Sequence, residues 1–173
     1  MRDPAFGCCG FVVLGCAALL LLILRFMEPH DPPGHLCQIN VRQICTALKL
    51  YAEDYDGSLP NKDWIDATAS FVKASRDIYT CPEVQSQGKS NGYAFESALL
   101  GKSKKDTSDP SPLPVIYETD VLKRNAVAPL LLGWTKPGRH RGRNTIGFLD
   151  GHVQTVFDDW VETYTVRYKA ETK

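Results

Sequence analysis

The chain has 173 residues and carries 20 Lys+Arg against 20 Asp+Glu, so its formal net charge is zero. That balance excludes a bulk electrostatic affinity for nucleic acid, and the length suits one domain plus an anchor rather than several domains. There is no His-Glu-x-x-His and no complete phosphate loop, so the zincin and P-loop nucleotide-binding classes are excluded too.

The stretch Phe6–Leu24 carries no charged residue. It approaches the ~20 residues that cross a bilayer core as a helix. Arg25 follows, placed to snorkel to the headgroups. This predicts a membrane anchor over residues 1–27. A cleaved signal peptide would need a small-x-small site that Leu24-Arg25-Phe26-Met27-Glu28 does not offer. A lipoprotein reading on Leu14-Gly15-Cys16 leaves too little apolar sequence before the cysteine. Charge hardly decides orientation, because Arg2 lies beside Asp3 and is set against Arg25. Cys8, Cys9 and Cys16 read as small apolar residues in or beside the membrane. Pro29, Pro32 and Pro33 then break any continuing helix, which predicts an extended linker over 28–35.

Residues 36–173 are expected to form an α+β domain. Val41, Ile44, Leu48, Tyr51 and Tyr55 recur at spacings of three and four, which predicts an amphipathic helix over Leu36–Tyr55. Asn40, Arg42, Lys49 and Glu53 fall mainly on its polar side. Gly57 and Pro60 supply the stop. Asp54-Tyr-Asp-Gly57 reads as a helix end with a polar turn, because the EF-hand register would begin at Ala52 and lack the closing Glu. Asn61 is placed to cap a short second helix through about Ser75, with Trp64, Thr68, Phe71 and Val72 inside. Cys81-Pro82 reads as a turn, Gln85–Asn91 as a polar loop, and Tyr93–Leu100 as a strand. Gly101–Pro114 reads as a loop, Val115–Glu118 as a strand, and Leu130–Trp134 as a buried segment. Asp158–Tyr168 reads as a closing helix or strand. Helices first and strands later imply an antiparallel sheet packed on the first helix.

The most organised stretch is Gly138–Phe157. Asp150-Gly151 separates two runs of alternating character, as in a hairpin with a two-residue type I′ turn. In that register Phe148 faces Val153 and Ile146 faces Thr155. Ile146, Phe148, Val153, Thr155 and Phe157 then form the buried face, with Thr145, Gly147, His152 and Gln154 opposite. Glu118, His140, Asp150 and His152 are the acid/base candidates. Together they make a possible divalent-metal set, against the simpler reading of a loop-bracing His140. The absence of a Cys-x-x-Cys pair argues against a zinc knuckle. Lys136, Arg139, Arg141 and Arg143 form a basic run, read either as an anion site or as a solvated loop.

His140, nine residues and then Asp150-Gly151 resembles the motif of the bacterial prepilin-type processing-associated H-X9-DG domain family, whose members are similar to type II secretion pseudopilins. Cys37–Pro60, Tyr79-Thr-Cys-Pro82 and Asn91-Gly-Tyr-Ala-Phe95 also resemble family blocks, in the same order. The resemblance covers roughly residues 36–160. It implies a pilin-like domain, an N-terminus inside and a domain outside the cytoplasm. The chain departs from a prepilin signal: counted from Phe11, the fifth position is Gly15 rather than Glu. The expected function is therefore non-catalytic: a membrane-anchored, pseudopilin-like envelope or secretion component acting through protein contacts, with no cofactor and no nucleic-acid partner. The alternatives are an extracytoplasmic anion-binding module and a metal-dependent enzyme. The resemblance places cysteines at Cys37 and Cys81. Cys37 and Cys45 stand about 12 Å apart along one helix, too far to bridge, so Cys81 is one partner of any intrachain bridge. Cys45 lies near the buried stripe as a small core residue, and Cys37, at the accessible helix start and matched by the resemblance, is the expected other partner in a Cys37–Cys81 disulfide. Free thiols are the alternative.

Overall fold

The computed structural model describes residues 34–73, 77–106, 109 and 113–171. The expected anchor Phe6–Leu24 and most of the expected linker lie outside the described residues. Among the described residues no helix is long and apolar enough to cross a membrane. The described part is a mixed α+β fold, a five-stranded sheet with helices.

The predicted first helix is α1 (His35–Asp54). Its apolar stripe buries Val41, Ile44 and Leu48, together with the small Cys37, Cys45, Ala47 and Ala52. Full burial of each large aliphatic side chain contributes about 1.5–3 kcal/mol. Two assignments on this helix are corrected. Asn40 is buried rather than polar-side, because its amide donates to the Thr80 carbonyl and the Tyr93 hydroxyl. Tyr55 is 54% exposed rather than inside, stacked on Tyr51 just past the helix end. The helix stops as expected, with Gly57 at φ 91° and its N–H donated to the Ala52 carbonyl. The second helix, α2 (Trp64–Thr68), continues as a 3₁₀ turn only to Phe71, short of Ser75. Cys81-Pro82 opens a short helix, α3 (Pro82–Ser86), with proline at its first position, where the missing N–H has no intrahelical partner to lose.

The strands are β1 (Tyr93–Glu96), β2 (Pro114–Glu118), β3 (Val127–Ala128), β4 (Arg143–Phe148) and β5 (Val153–Phe157). Their order is β3-β1-β2-β4-β5. All neighbours are antiparallel except β1 and β3. Leu130–Trp134 forms α4 (Leu130–Gly133), and the closing element is a helix, α5 (Trp160–Glu171). Leu131 and Leu132 face outward, against the expectation that this segment is buried throughout.

Every residue of β2 is buried, because both faces of the sheet are covered. On one face Tyr93, Phe95 and Ile116 pack with Val41, Ile44, Leu48 and Trp64. On the other Ala94, Tyr117, Ile146, Phe148 and Val156 pack with Leu130, Trp134 and Val161. Helix α1 lies close over β4 at Gly147, where a Cβ would stand 2.4 Å from Cys45 Sγ and 2.7 Å from Val41 Cγ1.

The β4–β5 hairpin forms, but its register differs by one residue. Gly147 pairs with Val153, Ile146 with Gln154 and Thr145 with Thr155. The turn is the three-residue form. Phe148 and His152 close it, the Gly151 N–H donates to the Phe148 carbonyl, and only Gly151, at φ 101°, is left-handed. The slip inverts β5: Val156 is buried, while Phe157 is 57% exposed beneath the Arg143 guanidinium.

Candidate functional site

Four elements deliver one buried cluster at the helix-covered face. Cys37 comes from the first turn of α1, Cys81 immediately precedes α3, and Glu118 ends β2. His140 sits in the turn that leads into β4. That turn is tight: the His140 N–H donates to the Arg143 carbonyl, and Arg141 and Gly142 both take positive φ. A Cβ on Gly138 would stand 2.6 Å from the Arg143 backbone, so the two arms of the turn touch. The His140 ring lies against Gly34, where a Cβ would come within 2.9 Å of it.

The sulfurs of Cys37 and Cys81 are 2.9 Å apart, as two thiol groups. His140 Nε2 lies 2.7 Å from Glu118 Oε1, and its Nδ1 lies 2.8 Å from Glu83 Oε1. Cys81 Sγ stands 3.4 Å from Glu118 Oε1 and 3.9 Å from His140 Nε2. The second Glu118 oxygen accepts the Thr145 N–H at 2.6 Å. Glu118, Cys81, Cys37 and His140 are 0%, 0%, 1% and 2% exposed, so solvent and solutes reach none of them. The ligating atoms of these four side chains all lie within 4.8 Å of one another.

The groups polarise each other. Burial opposes charge on His140, yet hydrogen bonds to Cys81 and Glu118, with the Glu118 charge, hold its pKa up at about 11. The Cys37 thiol hydrogen-bonded to Cys81 brings the Cys81 pKa down to about 6, against the cost of burial. Cys37 shifts the other way, raised by the same hydrogen bond and by burial. The hydrogen bond between the two sulfurs thus pushes them in opposite directions, while the surrounding carboxyl groups favour the charged form of His140.

Of the metal set read from the sequence, the structure brings Glu118 and His140 together and leaves Asp150 and His152 elsewhere. His140 and Asp150 flank opposite ends of β4, a six-residue strand. At about 3.3 Å per residue that strand alone separates them by roughly 17 Å. Asp150 Oδ1 instead accepts from the His152 N–H at 3.0 Å and from its Nδ1 at 2.6 Å. His152 stacks on Phe148 with ring centroids 4.0 Å apart. The H-X9-DG spacing thus reads as one strand with a turn at each end.

The basic run does not converge on an anion. Arg139 donates to the Gly92 and Thr119 carbonyls and to Asp120. Lys136 pairs with Glu162 at 2.7 Å, and Arg143 covers Phe157. Arg141 is exposed at its positive-φ corner. The residues missed in the sequence are Glu83, the outer partner of His140, and the role of both cysteines beside His140. The ordered blocks themselves were the available signal: Cys37, Cys81 and His140 each belong to one, and Cys81 N–H donates to the carbonyl of Asn91, which opens another.

Compared with protein-family models, with curated proteins and with solved structures, the chain matches none.

Proposed function

We propose that the chain is a non-catalytic, membrane-anchored, pseudopilin-like protein of the bacterial envelope that acts through protein contacts. The observation that carries this reading is the sealing of its chemistry. Cys37, Cys81, Glu118 and His140 are buried and hydrogen-bonded among themselves, with the part-exposed Glu83 as the outer partner of His140, so a substrate touches none of these four unless the domain opens. The third possibility, a metal-dependent enzyme, is disfavoured by the same burial, because a catalytic metal keeps an open position. An anion-binding role is disfavoured by Arg139, which is spent on two carbonyls and Asp120. The pilin-like part of the proposal is supported by a 20-residue helix lying against an antiparallel β-pair, the arrangement the resemblance implies. The anchor is supported by the uncharged Phe6–Leu24.

The test is made in intact cells of a bacterial host. The full chain is expected to stay with the membrane after an alkaline carbonate wash, and protease added to spheroplasts is expected to digest its domain. Crosslinking in those membranes is expected to give discrete products larger than the single chain. Recovery in the soluble fraction, or a protected domain, overturns the topology. A chain that crosslinks to nothing in its native envelope overturns the contact role.

A further inference from the structure

We infer that Cys37, Cys81, Glu118 and His140 form a closed, structural zinc site that clamps the start of α1 to the sheet. The donor set is two sulfurs, one imidazole nitrogen and one carboxylate oxygen, each from a different element. Zinc accepts all three donor types and prefers four ligands in its structural sites. Thiolates disfavour magnesium and calcium, which take oxygen. Tetrahedral zinc, with ~2.3 Å bonds to sulfur and ~2.0–2.1 Å to nitrogen and oxygen, sets its ligand atoms about 3.3–3.8 Å apart. Here four of the six separations run from 2.7 Å (His140 to Glu118) and 2.9 Å (Cys37 to Cys81) to 3.4 Å and 3.9 Å, and all six lie within 4.8 Å. Spreading the two short pairs and closing the wider ones, each by about 1 Å or less, accommodates the ion.

The outer contacts fit the same reading. A zinc-bound histidine gives its other ring N–H to a carboxylate, a backbone carbonyl or water, which fixes its tautomer and strengthens it as a ligand. Glu83 stands 2.8 Å from His140 Nδ1, leaving Nε2 directed at the cluster. Thr145 N–H holds Glu118 Oε2, leaving Oε1 directed inward. A Cys37–Cys81 disulfide would account for the two sulfurs and leave the buried Glu118–His140 pair unexplained. Desolvating such a pair costs several kcal/mol per ion. A divalent cation accounts for all four groups. Binding requires both sulfurs and the imidazole Nε2 to be deprotonated, so whatever protons they carry are released, with no change of oxidation state.

Full-length protein is purified in detergent under reducing conditions, stripped with a chelator, and titrated with zinc and then with cobalt. One zinc per chain is expected. Cobalt is expected to give a near-ultraviolet sulfur-to-metal charge-transfer band and the visible bands of a four-coordinate ion. Cys37→Ser, Cys81→Ser and His140→Ala are expected to lose the band, while Cys45→Ala keeps it. Glu83→Ala removes no ligand and is expected to weaken zinc binding about 10–100-fold. If the ligand variants fail to fold, the wild-type cobalt spectrum and the Glu83→Ala affinity still decide. Folded, reduced wild type that binds less than about a tenth of an equivalent overturns the site. So does native protein lighter by about 2 Da with Cys37 joined to Cys81. Either result leaves the proposed membrane role standing.

Discussion

Gly147 and Gly34 are two positions where a close approach leaves no room for a side chain. Gly147 lets α1 lie on β4, since any Cβ would overlap both Cys45 and Val41. Gly147→Val is therefore expected to destabilise the domain by at least about 2 kcal/mol, because overpacking a fixed helix–sheet contact forces both elements apart. Urea unfolding followed by tryptophan fluorescence reads this, and an unchanged midpoint would show that α1 does not sit there. Gly34 combines φ 86° with the His140 ring 2.9 Å from a prospective Cβ. Gly34→Ala is expected to cost about 1–2 kcal/mol for the left-handed backbone alone, and to displace His140. A shifted His140 ring resonance checks the displacement. Gly142 makes a useful control for crowding, since its φ is also positive but nothing lies near its prospective Cβ.

The β4–β5 hairpin shows how one turn residue decides an element. Both the two-residue and the three-residue turns accept Asp-Gly, but they differ by one residue in register and so exchange the faces of β5. Val156→Ala is expected to cost about 1–3 kcal/mol, as removal of buried methyl groups does. Phe157→Ala is expected to cost no more than about 1 kcal/mol, mainly its exposed contact with Arg143. The reverse order of the two losses in chemical denaturation would restore the two-residue turn. Gly151→Val adds a β-branched side chain at φ 101° and is expected to destabilise by about 1–2 kcal/mol. Its effect should be separable from the site, because the turn and His140 lie at opposite ends of β4.

At the scale of the whole molecule, the sheet is a middle layer whose two faces carry separate cores. The buried cluster joins α1, the segment before α3, the end of β2 and the turn before β4, segments otherwise distant in the chain. The cluster thus ties the first turn of α1 to the sheet. For the proposed membrane role, intact mass of the detergent-extracted chain is expected to retain Phe6–Leu24. A new N-terminus at Phe11 would instead establish processing of the prepilin kind and make Gly15 compatible with it.

The legible features are those with a short physical range. The period of Val41, Ile44 and Leu48 determined α1, Gly57 its end, and alternation about Asp150-Gly151 a hairpin, because each depends on residues a few positions apart. Glu118 and His140 stood out by residue type, and the structure does join them. Their true companions did not, since Cys37 is 44 residues from Cys81 and Cys81 is 37 from Glu118. No spacing rule spans such separations; only the packing of α1 on the sheet brings those side chains together. Tertiary structure likewise decided that Asn40 is buried, since its partners are Thr80 and Tyr93. It also placed Val156 inside and Phe157 outside, because register depends on which turn satisfies both layers at once.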